Sequence, residues 1–547
     1  MLYQQIASAL EEIYFAPRSQ KAVLCSRLIA DLEPSMLCPV VRLLSGQLWP
    51  TWEAREMGVG PEGLSVALEL ISEENITGLR ERLGEMGLVA EAAIAEKSQH
   101  SLTIEPLQAL TVYEQLRRIS MFRGRDSEQR KNAILRGLFQ VASPLEGKYI
   151  ARTVLGNNLA GIGHKTMLAA LALSYRCEQA QLKRAYCLLP DPGKIAVMAA
   201  SGQLDKARIQ PGIPIKPMMI CSLKPVDLKV VGSVADESSA GMAIFPRYHA
   251  LRVQVHNTDS GAYIYSSRQK NITSSLNGLA QRLTGMDEEF IVDADLIGFQ
   301  DGRICPQAEV IRYINRRRLS RRSSLSPALL AYDLLYLSGE DTTTLPLRER
   351  RNRLLEALGK PRSMPFQGIS VVREWIVQGK DLGEDLLQDH LERLAEEGGE
   401  GFIVRDLNEL YRPGECSGTD FLVERELFIS AVIVRAEWGR RRNEKIFSRF
   451  LVALREGDNL VSVGWIGRQL GQKDILELDR QLKALASEWD DTGASVSPQV
   501  IINLRIRGAR RSELGYVILR PVVVGIDPNS SWEDVDELNR LFPISDR

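Results

Sequence analysis

The stretch RYHALRVQVH, residues 247–256, decides how the middle of this chain is read. Leu251, Val253 and Val255 alternate with Arg252, Gln254 and His256. A two-residue period of apolar and polar side chains predicts a half-buried β-strand over His249–His256. Working outward, strand-like runs occupy 262–266, 290–299, 329–337 and 401–405, and helical stretches lie between them at 346–358 and 382–397. Strands and helices interleaved in this way predict an α+β domain over 210–426. Its entry is marked by Pro211, Pro214 and Pro217, which punctuate an extended segment that cannot continue a helix.

On the N-terminal side, residues 1–209 read as all-α. Tyr3, Ile6, Leu10 and Ile13 recur at three- and four-residue spacing, which places them on one helix face. Similar spacing runs through 64–118 and 165–188, broken by Gly58–Pro61 and Pro190–Gly193. On the C-terminal side, 427–547 is strand-rich at 427–438, 447–456, 459–466 and 516–526, with one helical segment near 473–487. A small closed β-barrel of the OB-fold type fits that order. The expected architecture is multidomain, with boundaries near 209 and 426.

Bulk properties narrow the class without deciding it. The 547 residues are 44% hydrophobic and 25% charged, values ordinary for a globular protein, and are too many for one core. The formal net charge of −1 gives no global pull toward nucleic acid, so any such binding has to come from local basic patches. Seven cysteines occur without a C-x-x-C, which indicates neither a zinc site nor a disulfide framework and predicts reduced thiols. The first residues, MLYQQIASALEEIYF, mix acids into the apolar positions and do not read as a signal peptide. No uncharged apolar run approaches the ~20 residues that span a bilayer. A cytoplasmic protein without membrane contact is expected.

Local signatures, in order, carry a resemblance. The stretch RYHALRVQVH is similar to a strand beginning K-x-D-G-x-R, and DADLIGF (293–299) to a D-G-E strand. AYDLLYLSGE (331–340) resembles a strand whose phenylalanine stacks on adenine, and EGFIVRDLNELYRPG (400–414) resembles an E-G-x-x-V…Y-x-P-G stretch. In the first domain QLWPTWEAREMGVG (47–60), SPLEGKYIARTVLG (143–156) and GIGHKTMLAALA (161–172) agree as well. Together they resemble the ATP-dependent DNA ligases of the archaeal and eukaryotic type along the whole chain. The resemblance implies an all-α DNA-binding domain, an α+β nucleotidyltransferase (adenylation) domain and an OB-fold. It also implies ATP and Mg2+ as cofactors, nicked double-stranded DNA as partner, and a place in DNA replication, repair or recombination, with proteins of those processes as further partners.

Ligation of that type starts with a lysine amine attacking the α-phosphate of ATP. Here the matching position is Arg247. An amine can lose its proton and offer a lone pair, whereas a guanidinium stays charged above pH ~12 and its lone pairs are delocalised. Neighbouring positions depart too. His249 and Ala250 replace the aspartate and glycine, and Phe245 replaces a glutamate. Arg252 matches an arginine near the nucleotide phosphates. Arg268 sits one residue after the next such position, which is Ser267. Asp295 stands for a glutamate, Tyr332 for the stacking phenylalanine, and Glu400 is kept, so Asp295 and Glu400 are the candidate metal carboxylates. Leu422 and Glu424 take the places of two lysines, with Arg425 the nearest cation, and Asp527 and Ser530 stand where a closing arginine and lysine are expected. Phosphate chemistry needs positive charge at those points.

For DNA, Gly161 and Gly163 precede a helix expected at 165–174, whose first amides can hold a phosphate; a plain tight turn is the alternative, and Leu159 replaces the family's arginine. Lys148 and Arg152 sit four apart on one helix face, which serves phosphates or is a solvated face. Arginines crowd at 312–322, 440–442 and 505–511, and could neutralise several phosphates of a duplex. The leading expectation is a ligase-family protein that binds nicked duplex DNA and is defective in self-adenylylation. The alternatives are a working ligase with altered motifs, one that accepts only pre-adenylylated DNA, and a protein-interaction module.

Overall fold

The computed structural model describes residues 1–97, 105–220, 241–248, 250–315, 325–378, 384–396, 399–424, 427–438, 446–467, 471–512, 515–527 and 532–541. Expectations placed on His249, Arg316–Arg318, Arg321, Arg322, Arg425, Arg440–Arg442 and Ser530 lie outside the described residues. The chain divides into two compact units. One comprises Met1–Cys221, His249–Arg373 and Asp406–Asp420; the other comprises Ser222–Tyr248, Glu374–Arg405 and Phe421–Arg547.

The first unit opens with twelve α-helices among the described residues, from Tyr3–Phe15 to Pro192–Ala200. The expected stripe on the first helix is buried: Tyr3, Ile6 and Ile13 are fully covered and Leu10 almost so. The helix Pro144–Val154 starts where the sequence dictates. Ser143 accepts from the Glu146 amide, Glu146 accepts from the Ser143 amide, and Pro144 takes a first-turn position that lacks an amide partner anyway. It packs on Met86–Ala95 so closely that a Cβ on Gly147 would stand 2.0 Å from Ile94 Cδ1. Early and late helices are joined by a buried ion pair. Arg42 Nη2 lies 2.6 Å from Asp191 Oδ2 with both side chains almost fully covered, and Asp191 also caps Pro192–Ala200 by accepting from the amides of Gly193 and Lys194.

The same unit holds a sheet in the order Gly261–Ser266, Leu251–Thr258, Phe290–Gln300, Ser326–Leu337, Glu340–Asp341, with Gly368–Val371 added in parallel to Ser326–Leu337. The strand expected from the opening stretch is present as Leu251–Thr258, but it is not half-buried. Gln254 and His256 are covered as fully as Val253 and Val255. The reason is non-local: the extended segment after Pro211 lies on the polar face. The Gly212 amide donates to His256 Nδ1 at 3.0 Å and the Ile215 amide to Gln254 Oε1 at 2.9 Å. Polar side chains are thus buried with their partners supplied by backbone.

The second unit contains a four-stranded sheet, Trp375–Val377, Met242–Tyr248, Gly399–Asp406, Phe421–Glu424. Leu387 and Leu391 of the helix Glu384–Glu396 share a core with Met242, Ile244 and Phe402 of that sheet. It also contains the curled sheet of the OB-fold. The long strand Leu427–Trp438 pairs along one edge with Phe447–Glu456. Its other edge pairs first with Ile501–Ile506 and then with Gly493–Val496. Leu478 and Leu482 of the helix Gln472–Leu485 join the core. The single strand expected over 516–526 is two strands, Gly515–Leu519 and Val522–Asp527. Between them Arg520 takes φ +48° and Pro521 has no amide to give a ladder. Five cysteines are free thiols, whereas Cys416 is disulfide-bonded, so the expectation of thiols throughout fails at that position. Among the described residues no helix is long and apolar enough to cross a membrane.

Candidate functional site

In the first unit, strand register brings one group of predicted residues together. Arg252 pairs across the ladder with Asp295, and Gln254 with Asp293, which puts all four side chains on one face. Arg252 Nη2 lies 2.5 Å from Asp293 Oδ2, and Nη1 donates to the Met218 carbonyl at 2.6 Å. Tyr411 closes the group: its hydroxyl donates to Asp293 Oδ2 at 2.6 Å and accepts from the Met218 amide at 3.0 Å. Tyr332 joins through a β-bulge. Asp293 pairs with Asp333 and Ala294 with Ala331, which leaves Tyr332 as the extra residue. Its ring centre lies 5.8 Å from the Arg252 guanidinium carbon.

The electrostatics follow from burial. Burial works against the Arg252 charge, but Asp293, Tyr332 and Tyr411 outweigh it and hold the guanidinium above its ordinary range. Burial raises the Tyr332 and Tyr411 phenols well above theirs, and Asp293 adds to both. Beneath Tyr411 a second pair is fully covered: Arg350 Nε lies 2.7 Å from Asp333 Oδ1. Arg350 also donates to the carbonyls of Leu345 and Glu409 at 2.6 and 2.9 Å. This pair fixes the loop that carries Tyr411.

Asp293, Met218, Tyr411, Asp333 and Arg350 are the members that sequence reasoning missed. Asp293 and Tyr411 sit inside stretches already singled out. Arg350 lies in the charged helix Leu347–Leu358, where nothing in LRERRNRLLEAL separates a buried arginine from a solvated one. Arg268 stands apart from the group. It is exposed on the turn after Gly261–Ser266 and lines a cleft of about 530 Å³ with Trp49, Arg55, Leu155 and Lys270.

In the second unit Arg247 and Glu400 lie on the strands Met242–Tyr248 and Gly399–Asp406. Arg247 Nη1 stands 3.8 Å from Glu400 Oε2, each side chain a little over a quarter exposed. One expected metal carboxylate therefore faces the charge that replaces the expected nucleophile. The other, Asp295, is half-buried in the first unit. Among the described residues no group of three His, Cys, Asp or Glu side chains is arranged to hold a metal ion.

The expected DNA-facing residues divide. Lys148 and Arg152 are not on a solvated face; they are about 95% covered and held by carboxylates. Lys148 Nζ lies 2.9 Å from Glu11 and 3.2 Å from Glu91, and Arg152 Nη2 lies 3.0 Å from Glu85. Their charges tie helices together. Gly161 and Gly163 remain at the surface. Gly161 takes φ +69° and Gly163 caps His164–Tyr175 without a side-chain acceptor, so the first amides of that helix receive no side-chain cap. A cation stands nearby, as Lys21 Nζ donates to the Ala160 carbonyl at 2.7 Å.

Two comparisons bear on this arrangement. Residues 2–172 match the family DNA ligase N terminus, and residues 230–421 match the ATP dependent DNA ligase domain. The chain is 28% identical to a DNA ligase of Thermococcus fumicolans, covering 100% of this chain and 98% of the relative. It is 28% identical to a DNA ligase of Thermococcus onnurineus (95% and 94% covered) and 27% identical to one of Methanoculleus marisnigri (99% and 97% covered). A helical domain, a nucleotidyltransferase domain and a β-rich C-terminal region make up the chain, which is the domain set of the ATP-dependent DNA ligases. The chain belongs to the ATP-dependent DNA ligase family.

Proposed function

We propose that this protein binds nicked duplex DNA as a three-part clamp, 1–209, 210–426 and 427–547, and does not charge itself with AMP. The observation that carries the reading is Arg247 at the position of the nucleophile, 3.8 Å from Glu400. Family membership implies ATP and Mg2+ by resemblance, but these residues do not fit the covalent step. A guanidinium has no free lone pair to form a bond to phosphorus. Glu400, the carboxylate that would serve a cation, has a fixed positive charge beside it. Arg252 supports the same reading, because its guanidinium is engaged by Asp293 and the Met218 carbonyl. Surface features left for a DNA backbone are the amides after Gly163 and the exposed basic residues.

The test is incubation of the full chain with labelled ATP and Mg2+, followed by denaturing electrophoresis. The expected result is no label on the polypeptide. Label retained on any lysine overturns the reading. A second reading, a working ligase with altered motifs, is favoured by near-complete coverage of relatives named DNA ligase. Sealing of a nicked duplex by the unaltered chain would establish it. In either case the processes served would be replication, repair or recombination.

A further inference from the structure

The turn between the helices Ala109–Ile119 and Ser127–Val141 gathers guanidiniums around one aromatic ring. Arg118, in the last turn of the first helix, and Arg130, in the first turn of the second, each place a guanidinium carbon 6.0 Å from the centre of Phe122. The two charges therefore lie within about 12 Å of each other. Arg123 and Arg125 project from the turn itself, around Gly124 at φ +92°. All four arginines are exposed, and Met121 beside them is 65% exposed. Among the described residues none of the four side chains makes an ion pair or a hydrogen bond. The nearby carboxylates Glu114, Asp126 and Glu128 are engaged by none of them.

We propose that this turn is a contact for the sugar–phosphate backbone of duplex DNA, additional to the amides after Gly163; the proposal rests on the DNA-binding reading above. A duplex carries one negative charge per ~1.7 Å of axis, so four arginines on one turn can meet more than one phosphate at once. Planar guanidiniums donate paired N–H bonds to phosphate oxygens, and the contact with the Phe122 ring limits the rotamer freedom that two of them lose on binding. A chain of net charge −1 has no other source of long-range attraction than such patches.

The test is titration of a nicked duplex by the full chain between ~50 and ~200 mM salt. R123A/R125A is expected to flatten the slope of log affinity against log salt by about 1.8, close to 0.9 per phosphate contact, and R123K/R125K to leave it unchanged. An alanine pair with the original slope overturns the proposal. So does a lysine pair that loses slope as the alanine pair does, because retained charge should retain the slope. Phosphatidylserine vesicles form a further arm: vesicle binding lost in R123A/R125A with an unchanged DNA slope assigns the turn to an anionic membrane and overturns the proposal. An unaltered chain that shows no salt-dependent binding to the nicked duplex sinks the DNA-binding reading itself. Binding by the unaltered chain with no effect of the variants sinks only the turn.

Discussion

Arg247 and Arg350 show how differently one side-chain type acts in two surroundings. Arg247 meets Glu400 at 3.8 Å with water at hand, a geometry that contributes less than ~1 kcal/mol. R247K keeps the positive charge at that position and is expected to leave the urea midpoint nearly unchanged, so any change in AMP transfer it causes reports chemistry rather than unfolding. Arg350 is fully covered with Asp333, and R350A would strand a buried carboxylate at a cost of about 3–5 kcal/mol, read as a large fall in the same midpoint. His256 supplies a pH dependence. Burial lowers its pKa from 6.5 to about 3, so below about 6.5 the unfolded chain holds a proton that the folded chain refuses. Stability should fall as pH drops from about 6.5 toward 3, by up to ~1.4 kcal/mol per pH unit, and be flat in this residue's contribution above 7. Urea unfolding across that range, with H256Q as the comparison, checks it; a slope unaltered by H256Q would refute the assignment. Arg247 is legible from the resemblance of its stretch alone. The Asp293–Arg252–Tyr411 group was not readable, because its members are 41 and 118 residues apart and only the sheet register joins them.

Among elements, the periodic ones were legible. Apolar spacing located Tyr3–Phe15 and alternation located Leu251–Thr258, while the helical stretches read at 346–358 and near 473–487 and the strand read at 447–456 fall on Leu347–Leu358, Gln472–Leu485 and Phe447–Glu456. What pattern does not encode is what covers an element. The polar residues of Leu251–Thr258 alternate as a wet face would, yet the segment after Pro211 supplies their hydrogen bonds. The bulge at Tyr332 was illegible for a related cause, since an extra residue in a strand shows only against its partner's register. Close helix contacts give a test at this scale. Ala at 147 adds a methyl that would stand 2.0 Å from Ile94 Cδ1, and G147A should cost about 1–3 kcal/mol, with G147A/I94V recovering part of it. Equal stability of G147A and the unaltered chain in thermal unfolding would show that the helices part freely.

At the scale of the whole molecule, the three-part order was legible from composition of elements, and the family from ordered motifs, while charge gave nothing: −1 is neutral to every partner. Losing the first chemical step need not remove the last. Displacement of AMP by a 3′-hydroxyl uses no lysine adduct, so a duplex supplied already adenylylated at its nick separates an inert clamp, which leaves it unsealed, from a finishing enzyme; product on a denaturing gel decides. The buried pair between Arg42 and Asp191 has a consequence for synthesis. During translation the helix Pro34–Leu44 leaves the ribosome long before the carboxylate that neutralises its arginine. Until Asp191 follows, Arg42 must stay hydrated, and the helical unit has to wait half-assembled for its last helix. Nascent chains halted before 191 should accordingly be cut by protease near that early helix, and those long enough for Asp191 and its helix to have cleared the exit tunnel should resist.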